Sequence, residues 1–482
     1  MIKKLANKFD KIPAAAKAGF IFLICAFLQK GISTLTTPIF TRLLSTEEYG
    51  AYNVYVSWSS IIAIFITLKI PSSVLQQAYV KFSEEKNQLA SSMQGLSLVL
   101  CLTATVIYAI NTTFFNKLTG LTTEVFLVMI VGIWATNVYE IWAQGERTNF
   151  QWKKVAFVTI LTTILKPTCG IIAILLFPEH KVNARIFSLV AVEVAAYIGL
   201  FLVQLSKGKF YVGKFWKYEL VFAVPLIPHY LSQQVLSQTD RLMINAMCGP
   251  GDAGIYSLAY QIAMVMTLFN SAMSSTLNPW IYKQIKNRTF DKIAPTVEML
   301  MVLLMALSWC MIIFAPEIIA VFAPITYHSA IWAVPPVAMS CVFMFLYSVF
   351  VCFEFYYEKR SYIVYASVTG AVLNVALNAM MIPVFGYVAA SYTTLICYIV
   401  FCVMHYVFMR KSCINSDAPV DVFPLGKLIL LSVIYIAGGL IITLLYNILI
   451  ARVLLFCAVA VAVITQRRKI AGILIDVKKS KK

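Results

Sequence analysis

The sequence predicts an all-α polytopic membrane protein with about fourteen transmembrane helices. Two observations predict this class. The chain has 482 residues, of which 60% are hydrophobic and 12% charged, whereas soluble domains carry about 25% charged residues. Apolar segments long enough to cross a bilayer also recur along the whole chain, with short polar loops between them. Their centres lie near residues 29, 62, 102, 131, 166, 195, 230, 267, 308, 342, 373, 397, 437 and 458.

The basic residues predict how these helices are oriented, because short cytoplasmic loops carry an excess of Lys and Arg. If the N-terminus is inside, most of the 39 basic residues fall in cytoplasmic segments. We therefore expect a multi-pass protein of the bacterial cytoplasmic (inner) membrane with both termini in the cytoplasm. The net charge of +18 then follows from topology and attraction to membrane lipid, and nucleic-acid binding is not needed to explain it.

The two ends of the chain are amphipathic and basic. Residues 1–16 alternate apolar and Lys positions at helical spacing, which is typical of an interfacial helix at the inner surface. Residues 467–482 form a basic cytoplasmic tail of similar character.

An internal repeat divides the remainder of the chain. Arg42 is followed by Gly50 and Tyr52, and about 200 residues later the same order recurs. The second copy comprises Arg241, Gly254 and Tyr256. Since six spans separate the copies, both have the same orientation, which predicts two pseudo-symmetric six-helix lobes. We place these lobes at residues 17–206 and 217–409, with an additional helix pair at 426–466.

The segments TRLLSTEEYGAY and TDRLMI…GDAGIYSLAYQIAMV, which contain these copies, resemble signatures of the Wzx-type polysaccharide flippases. That family belongs to the multidrug/oligosaccharidyl-lipid/polysaccharide (MOP) exporter superfamily. The resemblance implies two facing lobes, a central cavity and alternating access. It also implies the substrate, an undecaprenyl-pyrophosphate-linked oligosaccharide repeat unit for O-antigen or capsule. Many members have twelve spans, so the additional helix pair is a departure.

Three lysines lie inside otherwise apolar segments, where ionisable groups are rare because leaving water is costly. Lys30 and Lys166 fall at the centres of their segments, whereas Lys69 lies late in the second one, near the expected cytoplasmic mouth. At helical spacing each lysine begins a face of hydroxyl-bearing and amide residues. These faces comprise Ser33, Thr34 and Thr37 after Lys30, Thr162 and its neighbours before Lys166, and Ser72, Ser73 and Gln76 after Lys69.

An ammonium group supplies charge and three donors to phosphate oxygens, and hydroxyl groups suit sugars. We therefore predict that the three lysines and their faces bind an anionic, sugar-bearing substrate. The alternative for Lys30 and Lys166 is a structural ion pair with Glu193 or Glu140, and the two interpretations are compatible. Glu193 is also a candidate for a coupling site, since a carboxylate in low dielectric readily binds a proton.

The second lobe contributes amides instead of lysines. Asn374 and Asn378 share one face of the eleventh span, and Asn270 lies in the eighth. They are candidate sugar ligands, but hydrogen bonding between helices is the common use of such residues in membranes. Arg42, Asp240 and Arg241, near the outer ends of spans, are candidate gate residues.

The sequence contains no phosphate-binding loop, no nucleophile elbow and no metal-ligand spacing. We therefore expect a transporter, not an enzyme, without a cofactor but with H+ or Na+ as coupling ion. Expected partners are the lipid-linked oligosaccharide, membrane lipid, a polysaccharide polymerase and a chain-length regulator. Three alternatives remain open: a lipid II flippase, a multidrug cation antiporter of the same superfamily, and a membrane-bound polymerase or ligase.

Overall fold

The computed structural model describes residues 14–479 except 415 and 417. Within these ranges every regular element is a helix, and none is a β-strand. The predicted all-α polytopic class is therefore confirmed. The predicted interfacial segment 1–16 lies outside the described residues up to residue 13, as do the last three residues of the basic tail.

Two compact units make up the chain, and the boundary between them follows Gln234. The helices of the first unit are α1 (Ala14–Leu43), α2 (Thr46–Thr67), α3 (Leu75–Lys81), α4 (Lys86–Ile110), α5 (Thr112–Thr119), α6 (Thr123–Thr148), α7 (Trp152–Leu176) and α8 (Lys181–Leu205). Helix α9 (Gly213–Cys248) contains the boundary. The lobe limits at residues 206 and 217 stay a prediction.

The second unit continues with α10 (Pro250–Ala263), α11 (Met266–Lys286), α12 (Ile293–Ile313), α13 (Ala315–Phe322), α14 (Val334–Tyr356), α15 (Arg360–Phe385), α16 (Val388–Ile414), α17 (Leu425–Leu444) and α18 (Leu449–Lys479). Five short 3-10 helices lie between these elements: Ile70–Ser72, Ser83–Glu85, Pro178–His180, Phe290–Lys292 and Ile325–Trp332.

Eleven helices in the described part of the chain are long and apolar enough to cross a membrane. They coincide with eleven of the predicted spans. Of the other three predicted spans, those centred near residues 29 and 230 coincide with α1 and α9. The span centred near residue 267 matches no single helix, because the chain breaks between α10, which ends at Ala263, and α11, which begins at Met266. The total of fourteen stays a prediction for those three.

The second predicted span ends earlier than expected. Helix α2 begins at a capping box, in which Ser45 and Glu48 exchange hydrogen bonds, and it ends at Thr67. Leu68 and Lys69 follow with φ angles of 47° and 51°, in the left-handed region that non-glycine residues rarely adopt. Lys69 therefore lies in a break after the helix, and Ser72, Ser73 and Gln76 do not extend a face of the same helix. That part of the prediction was wrong.

The predicted additional helix pair is present as α17 and α18, which pack against α12. Tyr435 of α17 donates a hydrogen bond to Ser308 Oγ (2.6 Å), and Trp309 Nε1 donates to the Tyr435 carbonyl (3.1 Å). In α18, Arg452 makes two hydrogen bonds with Glu317 and one with the Ile313 carbonyl, all of 2.8 Å. The pair is thus fixed to the second unit by polar contacts, of which the Tyr435–Ser308 and Arg452–Ile313 hydrogen bonds are buried.

Candidate functional site

Polar side chains line two cavities in the described part of the first unit. The larger cavity has a volume of about 520 Å³ and lies among α2, α6, α8 and the segment after α2. Its lining from α2 recurs every three to four residues, which is one face of a helix. That face consists of Tyr52, Tyr55, Val56, Ser59, Ser60, Ala63 and Thr67. The hydroxyl groups of Ser59, Ser60 and Thr67 make this face polar.

Helix α6 forms the opposite wall of the larger cavity with Thr136, Asn137 and Glu140 at the same spacing. Asn137 donates a hydrogen bond to Ser97 Oγ (2.7 Å), which fixes its amide. Glu140 lies 3.6 Å from Arg147, and both are about two-fifths exposed. Lys69, from the break after α2, is the one lysine among the lining residues.

The smaller cavity has a volume of about 270 Å³ and lies among α1, α2, α7 and α8. Its polar lining residues are Gln29, Ser33, Thr36, Tyr52, Thr163, Lys166 and Arg185. Two of these are cations and none is a carboxylate. The larger cavity has the opposite charge balance, because its lining includes one lysine, Lys69, and two carboxylates, Glu140 and Glu193.

Lys166 and Glu193 join the two cavities. The ammonium nitrogen of Lys166 lies 2.5 Å from Oε1 of Glu193, and the side chains are 28% and 8% exposed. Lys166 lines the smaller cavity, whereas Glu193 lines the larger one. Tyr52 and Leu189 line both. The predicted ion pair of these two residues is therefore present, and it lies beside both polar spaces.

Arg185 lines the smaller cavity but was not among the candidate residues predicted from the sequence. Its guanidinium carbon lies 3.6 Å from the ring centre of Phe40 and 3.5 Å from that of Tyr52, so the group lies against two aromatic rings. Cation–π contacts of this kind fix a guanidinium in place. The sequence did contain a signal that could have identified Arg185, because Arg185, Leu189 and Glu193 are spaced by four residues and share a face of α8.

The face of α1 that lines the smaller cavity is offset from the predicted one. Gln29, Ser33 and Thr36 are lining residues, whereas Lys30, Thr34 and Thr37 are not. Thr34 and Thr37 instead donate to carbonyls one turn earlier, at 2.8 and 2.9 Å. The expected hydroxyl face was thus displaced by about one residue, which is roughly 100° around a helix.

The face of α7 shows a similar displacement. Thr162 is buried and donates to the Val158 carbonyl (2.8 Å), and its neighbour Thr163 lines the cavity. A substrate role for Lys30, Thr34, Thr37 and Thr162 stays a prediction.

The predicted polar residues of the second unit meet at Asp240, a carboxylate that is 1% exposed. Its Oδ1 accepts hydrogen bonds from Asn374 (3.0 Å) and Asn378 (2.7 Å). Its Oδ2 accepts from Tyr256 and Thr394, each at 2.7 Å. One carboxylate thereby connects α9, α10, α15 and α16. This geometry is that of the interhelical alternative, and sugar binding by the two amides stays a prediction.

The remaining predicted residues have local partners. Asn270 is buried and donates to the Cys341 carbonyl (2.8 Å). Arg241 donates to Gln238 Oε1 (2.9 Å) and lies over the Tyr260 ring. Arg42 is exposed at the end of α1 and donates to the Pro38 carbonyl (2.8 Å). Gating by Arg42, Asp240 and Arg241 stays a prediction.

The fold is similar to that of known transporters. A solved structure titled lipid II flippase MurJ, inward closed conformation, superposes with a TM-score of 0.69 at 14% identity, covering 94% of this chain and 100% of that one. An inward-facing multidrug resistance MATE family transporter of the MOP superfamily gives 0.64 at 14% identity, covering 79% and 94%. The chain thus has the fold of these polytopic helical membrane proteins.

Sequence comparison is more specific. Protein 1 of the Lsg locus of Haemophilus influenzae is 21% identical over 293 residues, which are 56% of this chain and 67% of that protein. The family described as polysaccharide biosynthesis protein matches residues 15–284, more than half of the chain. The chain belongs to this family of polysaccharide biosynthesis proteins.

Proposed function

We propose that the protein is a flippase for an undecaprenyl-pyrophosphate-linked oligosaccharide repeat unit of a surface polysaccharide, O-antigen or capsule. It moves this lipid from the inner to the outer leaflet of the bacterial cytoplasmic membrane by alternating access. Membership of the polysaccharide biosynthesis family and the MOP-type fold support this function.

The single observation that carries the proposal is the composition of the smaller cavity. Lys166 and Arg185 both line it, and its lining includes no carboxylate. A pyrophosphate needs such a site, because an ammonium supplies point charge and a guanidinium supplies a planar set of donors to phosphate oxygens. Ser33, Thr36 and Thr163 add hydroxyl donors around the cations. A site for cationic drugs would require the opposite charge.

The larger cavity suits the sugar. It is lined by serine, threonine, tyrosine and asparagine side chains, which can hydrogen-bond hydroxyl groups in either direction. Because Tyr52 and Leu189 line both cavities, a headgroup can place its pyrophosphate in one and its first sugars in the other. The prenyl chain remains in the lipid.

The Lys166–Glu193 pair supplies a route to ion coupling. A pyrophosphate that binds Lys166 competes with Glu193 for the ammonium group, since the two lie 2.5 Å apart. A buried carboxylate that loses its cation must be neutralised in another way, because an isolated charge is costly in low dielectric. Uptake of H+ or Na+ at Glu193 meets this need, with Glu140 as a second carboxylate in the same cavity.

A lipid II flippase is the second candidate function. The observation that favours it is that the lipid II flippase structure covers 94% of this chain. Both substrates contain a prenyl pyrophosphate, so the cavity charge alone does not separate them. With either substrate, membrane lipid is a partner, and for the repeat unit a polymerase and a chain-length regulator act on the product.

The test is complementation in a bacterial host that lacks its own repeat-unit flippase, scored by surface polymer. The wild type should restore polymer. Lys166→Ala, Arg185→Ala and the double variant Lys30→Ala/Lys166→Ala should not, while lipid-linked repeat units accumulate inside. Lys117→Ala, an exposed lysine of α5, is the matched control and should complement. Normal polymer from the double variant would refute a substrate role for the lysines. Rescue of a lipid II flippase deletion, but not of this host, would favour the second candidate.

A further inference from the structure

A second buried acid–base pair lies in the second unit, apart from both cavities. Glu354 in α14 and His405 in α16 are 0% and 1% exposed. Glu354 Oε1 lies 2.7 Å from His405 Nδ1, within hydrogen-bonding distance. The two residues are 51 positions apart in sequence, so packing of α14 on α16 creates the pair.

The pair is enclosed by aromatic rings. The centre of the His405 imidazole lies 4.5 Å from that of Phe401 and 5.7 Å from that of Tyr347. Phe408 is also near, at 6.4 Å. Water is thus largely excluded from the pair, and the cost of any net charge on it is high.

Other titratable side chains lie on the same and adjoining helices. The phenol and thiol side chains among them are Tyr347, Cys352, Cys402, Tyr282 of α11 and Tyr362 of α15. Charged groups on these and adjoining elements are Glu298 with Lys427 at 2.5 Å, Arg410 with Asp421 at 2.9 Å, Lys411, and Lys359 after α14. Within the described chain, His405 is the cation-forming side chain that the structure pairs with Glu354.

One atom on each member of the pair has no protein partner. Glu354 Oε2 and His405 Nε2 are both buried without a hydrogen bond. Buried polar atoms of this kind are uncommon and call for an explanation, because leaving them unbonded costs about 1–3 kcal/mol each. A fully bonded structural pair would not leave both outer atoms unused.

The position of Glu354 also favours a proton. It lies in the last turn of α14, which ends at Tyr356. The carboxyl end of a helix carries about half a negative charge, which disfavours a carboxylate and favours an imidazolium.

We propose that Glu354 and His405 together form a proton-binding site of the second unit. With no added proton the pair carries a carboxylate and a neutral imidazole, with a net charge of −1. One proton from water brings the pair to zero charge, shared as imidazolium with carboxylate or as imidazole with carboxylic acid. The proton is released again through Glu354 Oε2 or His405 Nε2, the two atoms without a protein partner. No other reactant is needed.

A proton fits this site better than a metal ion does. The pair offers two ligand groups, and the rings of Tyr347 and Phe401 lie against the imidazole. No cluster of three or more His, Cys, Asp or Glu side chains that could hold a metal was found among the described residues. Metal sites in proteins generally need at least three such ligands.

Use of this site in transport rests on the proposed flippase function, but its existence does not. In an ion-coupled flippase, a group that changes from −1 to zero within a packed helix pair would favour different arrangements of α14 and α16 in its two states. The site would thus give the second unit its own proton, separate from Glu193 in the first.

Proton binding is tested directly on the full-length protein in lipid nanodiscs. The chain has four histidines, so uniformly isotope-labelled histidine gives few imidazole NMR signals. The His405 signals, assigned by their loss in His405→Gln, are recorded between about pH 5 and 8 and should report proton binding to the pair as a change with pH. The pH midpoint of this change should differ in Glu354→Gln. Glu298→Gln, which removes another ion-paired carboxylate of the same unit, should leave the midpoint unchanged.

His405 signals that stay constant across this range in the wild type would overturn the proposal, even if Glu354→Gln fails to fold. The same holds if Glu354→Gln folds and leaves the midpoint unchanged. A second measurement concerns use: labelled lipid-linked oligosaccharide is reconstituted in vesicles with and without a pH gradient. The gradient should accelerate flipping at least several-fold in the wild type and in Glu298→Gln, but not in Glu354→Gln.

Equal acceleration in Glu354→Gln would overturn the coupling role of the pair. Absence of any flipping by the wild type would contradict the proposed function instead, and the NMR titration would still decide the proton site.

Discussion

Lys166 Nζ lies 2.5 Å from Glu193 Oε1, and the two side chains line different cavities of the same unit. A pair in this position serves two purposes. It neutralises two charges within the membrane-spanning region, and under the proposed function an anion that binds Lys166 would compete with Glu193. Stability and transport should therefore respond differently to changes in the pair.

The pair predicts an asymmetry in stability. Lys166→Met leaves Glu193, which is 8% exposed, without its cation. The cost should approach the roughly 3 kcal/mol known for buried pairs. Glu193→Gln should cost less, about 1 kcal/mol, because Lys166 is 28% exposed and its flexible stem can reach polar surroundings. Thermal unfolding in detergent measures both.

The double variant Lys166→Met/Glu193→Gln supplies the control. It should regain part of the stability that Lys166→Met loses, because no buried charge remains. Transport should stay absent, since the ammonium group is missing. Equal destabilisation by both single variants, or transport by the double variant, would contradict this interpretation of the pair.

Helical periodicity in the sequence predicted which residues share a face but not which face meets a cavity. It identified Lys166 and Glu193 as partners because both are charges in apolar segments. It placed the polar face of α1 about one residue away from the observed one, since apolar and small polar residues surround this helix on several sides. The break after α2 was missed because Leu68 and Lys69 carry no sequence signal for a left-handed backbone.

We expect that a lysine cannot replace Arg185. Its guanidinium lies between the rings of Phe40 and Tyr52, and a lysine would keep the charge but lose the planar stacking and paired donors. Arg185→Lys should weaken binding of undecaprenyl pyrophosphate about tenfold, which corresponds to about 1.4 kcal/mol. Titration of the purified protein with this lipid measures the change.

Arg467→Lys, at an exposed position of α18, is the matched substitution and should leave the affinity unchanged. An unchanged affinity in Arg185→Lys would show that charge alone suffices at this position.

The stability of the second unit should depend strongly on the Asp240 carboxylate. It accepts four hydrogen bonds, from Tyr256, Asn374, Asn378 and Thr394. Asp240→Asn replaces one acceptor oxygen by a donor and should cost at least about 1.5 kcal/mol. The swap Asp240→Asn/Asn378→Asp restores a carboxylate facing an amide and should recover part of the loss in thermal unfolding. Asp291→Asn, at an exposed position, should be neutral.

The Asp240 network also shows why the second unit was harder to predict. Its partners are 16, 134, 138 and 154 residues away in sequence. The sequence identified the polar character of Asp240, Asn374 and Asn378, but the choice between sugar ligands and interhelical bonds depends on which helices pack together. The contact between Glu354 and His405 could not be predicted from the sequence for the same reason, because it depends on the packing of α14 against α16.

Replacement by alanine should affect stability differently at two glycines of α17. A Cβ at Gly438 would lie 2.6 Å from the Trp309 ring, and a hydrogen bond from this ring to the Tyr435 carbonyl holds it in place. Gly438→Ala should therefore destabilise the protein by about 1–3 kcal/mol. A Cβ at Gly426 would have no atom within 4 Å, so Gly426→Ala should be neutral or slightly stabilising. Thermal unfolding compares the two, and equal effects would contradict close packing of α17 on α12.

Glu317 in α13 predicts a pH dependence of stability. Hydrogen bonds from Arg452 hold the pKa of the Glu317 carboxyl below its ordinary value of 4.5. A carboxyl whose folded pKa is depressed adds stability that is complete above the unfolded value and is lost as pH falls through the folded value. The unfolding temperature of the wild type should therefore exceed that of Glu317→Gln above pH 4.5, and the difference should shrink at lower pH. Glu179→Gln, at an exposed position, should show no such difference. Because Arg452 belongs to α18, a constant difference across this range would mean that the ion pair does not hold this helix to the second unit.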